Sequence, residues 1–299
     1  MFPFLDLKII KIPMYGLCMA VGIYAAFLVA FLLIKDRQKF LDFLVVSVVS
    51  LAFGVTGAKI VYLLTAHPVK DFFTVVWKML FTKGNPELSG GFVFFGGLIF
   101  GPIGYLLGCR IIKAGTEEAN ETGIYGKSAF LDEYAVVIPL AHAFGRIGCF
   151  CGGCCYGVLY EGLGHVVYKH PITSVPTGVG IFPVQLLESL LLFIFFGILF
   201  ALYIKKKSLK SLTSTSFTPQ NSNQTQTISV RSTSSLFPIY LFSYSIIRFC
   251  TEFLRGDSER GHFYIFSTSQ WISLVGITVA IGWLIFQNIN KKLLYKETL

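Results

Sequence analysis

Seven runs of about 20 predominantly apolar residues limit what this chain can fold into. They fall at roughly 13–34, 41–65, 91–112, 129–151, 181–204, 236–254 and 270–289. A bilayer core about 30 Å thick needs about 20 such residues to be crossed by one helix. A helix also satisfies its backbone polar groups without water. Hydrophobic residues make up 54% of 299 positions and charged ones 14%, with a mean hydropathy of +0.67. That balance lies outside ordinary soluble domains. The expectation is an all-α integral membrane protein, a single polytopic domain over residues 1–299 with seven transmembrane helices. The first run is of full spanning length, follows Lys8 and Lys11 and shows no small-residue cleavage pattern, so it is expected to stay as the first helix.

Lysine and arginine in the connections set the orientation, because positive residues are retained on the cytoplasmic side. With the N-terminus outside and the C-terminus cytosolic, the inner connections and tail hold 13 such residues against 8 outside. The net charge of +9 is dispersed among loops apart from Lys205, Lys206, Lys207 and Lys210. That cluster reads as a cytosolic flank, and no nucleic-acid partner is expected. The stretch at about 208–235 is rich in Ser, Thr, Asn and Gln. It cannot bury a core and reads as a disordered cytosolic loop. The connection at 66–90, with Phe72, Phe73, Trp77 and Phe81, reads as a short amphipathic helix at the outer interface.

Within the apolar runs, the segment AHAFGRIGCFCGGCCYG from Ala141 to Gly157 stands out. An arginine at membrane depth costs roughly 2.5–3.5 kcal/mol on insertion scales and normally pairs or lines a site. Given the orientation, Tyr15, Lys59, the GGFVFFGG run at 90–97, Arg146, Gln185 with Glu188, and Arg248 with Glu252 all fall in the outer leaflet. Tyr244, Arg248, Glu252 and Arg255 recur on one helical stripe, and His142 lies one turn before Arg146. Two arginines at headgroup depth suit a phospholipid phosphate, because the guanidinium fork matches phosphate oxygens. The plainer reading is structural: Arg248–Glu252 and Lys59–Glu188 as ion pairs joining helices, and the glycines as helix-packing residues.

These residues resemble the bacterial prolipoprotein diacylglyceryl transferases. The resemblance runs in order through MYGLCMAVG, GAKIVYLL, SGGFVFFGGLIFG, GRIGCFCGGCCYG, FPVQLLE and SYSIIRFCTEFLRGD. It implies an enzyme of the bacterial plasma (inner) membrane. Such an enzyme moves the diacylglyceryl group of phosphatidylglycerol to the lipobox cysteine thiol of a prolipoprotein signal peptide and releases glycerol phosphate. No cofactor or metal is required. Carried over by position, Arg146 and Arg248 hold the phosphate, and Tyr15, Tyr244, Gln185, Glu188 and Glu252 orient the headgroup and the arginines. Lys59, Gly96, Gly97 and Gly157 complete the substrate site, and His142 is the candidate base. A related transferase or lipid-binding paralogue with another acceptor is the alternative.

The sequence departs from the family pattern at three positions. Phe95 stands where the family has a glycine-flanked histidine, Cys149 where it has asparagine, and Phe182 where a histidine precedes Pro-x-Gln. The Cys149, Cys151, Cys154 and Cys155 run opens a further alternative, a membrane thiol or metal protein. On a continuing helix Cys151 and Cys154 would meet, whereas Cys154 and Cys155 would point about 100° apart. The expectation is small, buried, inert thiols, with Cys18, Cys109 and Cys250 as core residues.

Overall fold

The computed structural model describes residues 3–6, 11–66, 72–81, 94–114, 130–169, 173, 175–215, 235–257 and 262–297. Eight helices lie among them: α1 Met14–Leu33, α2 Arg37–Ala66, α3 Phe72–Phe81, α4 Phe94–Ala114, α5 Leu131–Gly152, α6 Val184–Thr215, α7 Phe237–Glu252 and α8 Thr268–Glu297. Each of the seven apolar runs contains a helix, and α3 falls in the 66–90 connection. Five helices, α1, α2, α5, α6 and α8, are long and apolar enough to cross a membrane. The protein therefore has the build of a multi-pass, all-α integral membrane protein. At 16 residues α7 is about 24 Å long.

The chain divides into two compact units, residues 34–130 and residues 1–33 with 131–299. In the first unit α2 packs against α4. Small residues let the backbones meet: a Cβ on Gly96 would run into the Gly57 carbonyl and Ala58 Cα, the close approach typical of membrane helices. Ser50 Oγ donates across the same seam to the Gly101 carbonyl at 2.9 Å. On α3 the Trp77 and Phe81 rings lie 4.3 Å apart and are exposed.

In the second unit α5 packs against α1 and α6, while α7 pairs with α8 and touches α5 and α6. The helices are inverted relative to those of a soluble bundle. On α6 the apolar Leu186, Leu190, Ile194 and Ile198 face outward at four-residue intervals, whereas Gln185, Glu188 and Ser189 are buried. On α8, Val275, Val279 and Phe286 are exposed, and Gln270, Ser273 and Gln287 are buried. Lipid solvates the apolar face, so the polar groups turn inward to find partners. One apolar core joins Leu33, Ala135, Val136, Phe195, Leu199, Tyr203, Leu236 and Tyr240.

Beside that core, a polar knot ties the ends of α1, α5 and α7 to α6. Asp132 pairs with Lys206, and its other oxygen accepts from the Leu236 backbone N–H at 2.7 Å. Tyr203 donates to Glu133 at 2.8 Å, and Lys207 donates to the Leu33 carbonyl at 2.6 Å. Both acids lie in the first turn of α5, where the helix dipole favours negative charge. Lysines expected only as a cytosolic flank thus also fasten α1 to α6. Helix α6 continues to Thr215 and takes up the start of the stretch expected to be disordered from 208. The rest of that stretch, 216–234, lies outside the described residues.

At the other end of this unit a folded cap, described at residues 153–169, 173 and 175–183, lies between α5 and α6. It holds a short hairpin, β1 Val166–Val167 with β2 Gly180–Ile181, over a small core of Tyr168, Val175 and Ile181. Residues 156–160 run between two neighbours. Val158 N donates to Leu254 O and Gly256 N to Tyr156 O, both at 3.0 Å, and Tyr160 N donates to Gly180 O at 2.9 Å. Gly157 sits in this seam because a Cβ there would strike the carbonyl oxygens of Phe182 and Leu254. The cap thereby fixes the ends of α5, α6 and α7 to one another.

Candidate functional site

Beneath the cap, Glu188 bridges two arginines from neighbouring helices. Its Oε2 lies 2.8 Å from Arg146 Nε on α5, and its Oε1 lies 3.2 Å from Arg248 Nη1 on α7. Thr251 Oγ1 donates to the same Oε1 at 2.9 Å. Glu188 is 2% exposed, so this carboxylate is buried and shared. Arg248 continues the network: Nη2 lies 2.5 Å from Glu252 Oε2 and donates to Ser269 Oγ at 2.9 Å. The Arg248–Glu252 contact expected from their spacing is present. Among the described ion pairs Glu188 engages the two arginines, as the resemblance implies, and not Lys59, the partner that the purely structural reading gave it.

The helical stripe from Tyr244 to Arg255 needs one correction. Helix α7 ends at Glu252, and the chain continues in tight turns in which Leu254 N bonds Thr251 O and Arg255 N bonds Glu252 O, both at 3.1 Å. These three-residue closures keep Arg255 on the side of Glu252, with Nε 3.9 Å from Oε2. Arg255 then forks onto Asp257, Nε to Oδ1 and Nη2 to Oδ2, each at 3.0 Å. Burial alone would lower its basicity, but Asp257 outweighs that effect and Arg255 is held charged. Its Nη1 is buried with no hydrogen-bond acceptor among the described residues. Sequence reasoning missed Thr251, Ser269 and Asp257 as partners. Only the Arg-Gly-Asp run at 255–257 offered a local signal for one of them.

The remaining expected residues fall into three groups. Tyr244, Tyr15 and His142 surround the arginines. The Tyr244 side chain lies near Arg146, and the His142 ring packs on Tyr244 with centroids 5.1 Å apart. Tyr15, 46% exposed, packs over Gly148, where a Cβ would come within 3.2 Å of Tyr15 Cδ2 and Cys18 Cβ. Gln185 serves the cap: its amide N–H groups donate to the Cys154 carbonyl at 2.9 Å and to the Tyr168 hydroxyl at 3.4 Å. Burial pushes the Tyr168 hydroxyl up to about 12, against the opposing pull of Gln185, so it remains a neutral phenol. Lys59, Gly96 and Gly97 belong to the other unit. There Lys59 lies over the Tyr62 ring, 4.9 Å from its centroid, and Gly96 serves the α2–α4 seam. The Phe95 side chain lies outside the described residues.

The network holds three guanidiniums, Arg146, Arg248 and Arg255, against three carboxylates, Glu188, Glu252 and Asp257. Each guanidinium carries five N–H donors, more than its carboxylate partners use. A buried cluster of this kind is neutral in sum yet rich in donors, and suits an anion with several oxygens.

Comparison with known proteins bears directly on that chemistry. The family model described as prolipoprotein diacylglyceryl transferase matches residues 3–286. Phosphatidylglycerol–prolipoprotein diacylglyceryl transferase 2 of Clostridium perfringens is 31% identical, over 97% of this chain and 95% of its own length. The corresponding transferase of Clostridium tetani is 30% identical over 94% of each chain. That of Dehalococcoides mccartyi is 26% identical over 95% of this chain and 92% of its own.

Proposed function

We propose that this chain, which belongs to the prolipoprotein diacylglyceryl transferase family, moves the diacylglyceryl group of phosphatidylglycerol onto the lipobox cysteine thiol of a prolipoprotein signal peptide. The observation that carries this reading is the buried pair of guanidiniums, Arg146 and Arg248, set on facing helices by the single carboxylate of Glu188. In the reaction the cysteine sulfur bonds the terminal glyceryl carbon and the bond from that carbon to the phosphate oxygen breaks. The thiol proton is lost, and glycerol phosphate leaves with its charge raised from about one negative unit toward two. Donors already aimed at that phosphate bind it more strongly as the charge grows, which lowers the barrier.

Arg146 and Arg248 contact the phosphate in this reading, and Glu188 and Glu252 hold them in position. Tyr15 and Tyr244 orient the headgroup, and His142 is the base that draws the thiol proton. Gln185 and Gly157 act through the cap. The unfilled Nη1 of Arg255 supplies a further donor for a phosphate oxygen.

The whole chain acts here as one polytopic domain of the bacterial inner membrane. It has seven crossings, the N-terminus outside and the site in the outer leaflet. The polar knot at Asp132 and Lys206 supports that orientation, because it gathers lysines at the end of the unit away from the arginine network. A cysteine-accessibility or reporter-fusion map is expected to place 216–234 and the tail after Lys291 in the cytosol. Either segment on the outer face overturns the orientation.

Vesicles of phosphatidylglycerol with a lipobox peptide test the activity. A thioether-linked diacylglyceryl peptide and glycerol phosphate are the expected products. Phe95→His, which restores the family residue, is expected to raise the rate. Binding of phosphatidylglycerol without product, in the wild type and in Phe95→His alike, overturns the prolipoprotein acceptor and favours a lipid-binding paralogue.

A further inference from the structure

The end of α5 brings three thiols together through a backbone cap. Gly153 takes a φ of 77°, Cys154 N bonds Cys149 O at 3.1 Å and Gly153 N bonds Phe150 O at 3.4 Å. This is the six-to-one and five-to-two pairing that closes a helix on a left-handed glycine. Such a cap normally presses the residue after the glycine onto the helix three positions before the cap, through an apolar contact. Here both members of that contact are cysteines, and Cys154 lies back over Cys149. The next residue, Cys155, adopts a φ of 59°, a left-handed conformation that non-glycine residues rarely take. Its thiol joins the other two instead of pointing away as on a continuing helix.

The Sγ atoms of Cys149, Cys154 and Cys155 lie within 4.8 Å of one another. None of the seven cysteines is in a disulfide. Metal–thiolate bonds of about 2.3 Å in a trigonal plane require sulfur–sulfur separations of about 4 Å, so small side-chain rotations close the set on one ion. Cys151, the fourth member of the run, lies near Cys18 on α1 and is not part of the triad. Arg146 and Arg255 both lie within electrostatic reach of Cys155, and positive charge favours the thiolate forms that bind metal.

We propose that Cys149, Cys154 and Cys155 form a three-thiolate binding site for a soft, thiophilic metal ion. Three sulfur ligands select such ions over hard, oxygen-seeking ones. Each thiol must lose its proton to bind, so metal binding releases protons and tightens as pH rises.

The test uses the full-length protein, reduced and in detergent, titrated with Cd2+ alone, without lipid or peptide. Its outcome is thus separate from that of the transferase reading. One Cd2+ per chain is expected, with the ultraviolet charge-transfer absorption of three thiolates. Cys149→Ser, Cys154→Ser and Cys155→Ser are each expected to weaken binding by about tenfold or more, since each removes a ligand. Cys151→Ser is expected to bind as the wild type does. X-ray absorption of the wild-type complex gives a variant-free reading, with three sulfur neighbours expected. Absent saturable binding, an absorption of fewer thiolates, or equal loss in Cys151→Ser overturns the site.

Discussion

Glu188→Ala is expected to destabilise the protein by about 3–5 kcal/mol, the range for removing one partner of a buried ion pair. Glu188 is the only acid that contacts both Arg146 and Arg248 among the described ion pairs. Without it the two guanidiniums face each other across a low-dielectric interior, and Thr251 Oγ1 loses its acceptor. The drop reads out as a lower thermal midpoint in detergent. Glu188→Gln preserves shape and an acceptor for Thr251 while removing the charge, so it is expected to fall between the two. A Glu188→Ala protein as stable as the wild type would show that the carboxylate is not what holds the arginines in place.

Arg146→Ala and Arg248→Ala are expected to behave differently, with a large loss of transfer and a smaller loss of stability. Each leaves Glu188 paired with the remaining arginine. A preorganised donor to a developing oxyanion is worth about 10²–10³ in rate, and the same range is expected for each arginine in diacylglyceryl transfer. Arg146→Lys is expected to recover little, because an ammonium cannot hold Glu188 and a phosphate oxygen with one planar fork. Arg146→Ala with Glu188→Ala is expected to be less destabilised than the separate effects sum to, since the pair is coupled. Full transfer activity in either arginine variant, measured as thioether product, removes these side chains from the phosphate site.

Much of this protein is legible along the chain. Apolar run length gives the helices, because the bilayer sets a length that composition alone can meet. The cost of charge in lipid singles out Arg146, Arg248, Glu188 and Glu252 without any knowledge of the fold. The i, i+4 spacing of Arg248 and Glu252 also states their contact in advance, since a helix fixes that neighbourhood locally.

What the sequence could not decide is partnership over distance. Glu188 could have paired with Lys59 or with the arginines, and both have the same charge complementarity. The packing of α5, α6 and α7, tied by a cap whose strand-like segment threads between 180–182 and 254–256, selects the arginines. Gln185 reads as a headgroup ligand from its motif, but its amide is directed into that cap. The thiol triad reverses a helical-wheel expectation for the same reason. Periodicity assumes that the helix continues, and one left-handed glycine ends it and folds Cys154 and Cys155 back onto Cys149. Local spacing is fixed by covalent geometry, whereas which buried polar groups meet is fixed by how helices and caps pack. Only the tertiary structure carries that second kind of information.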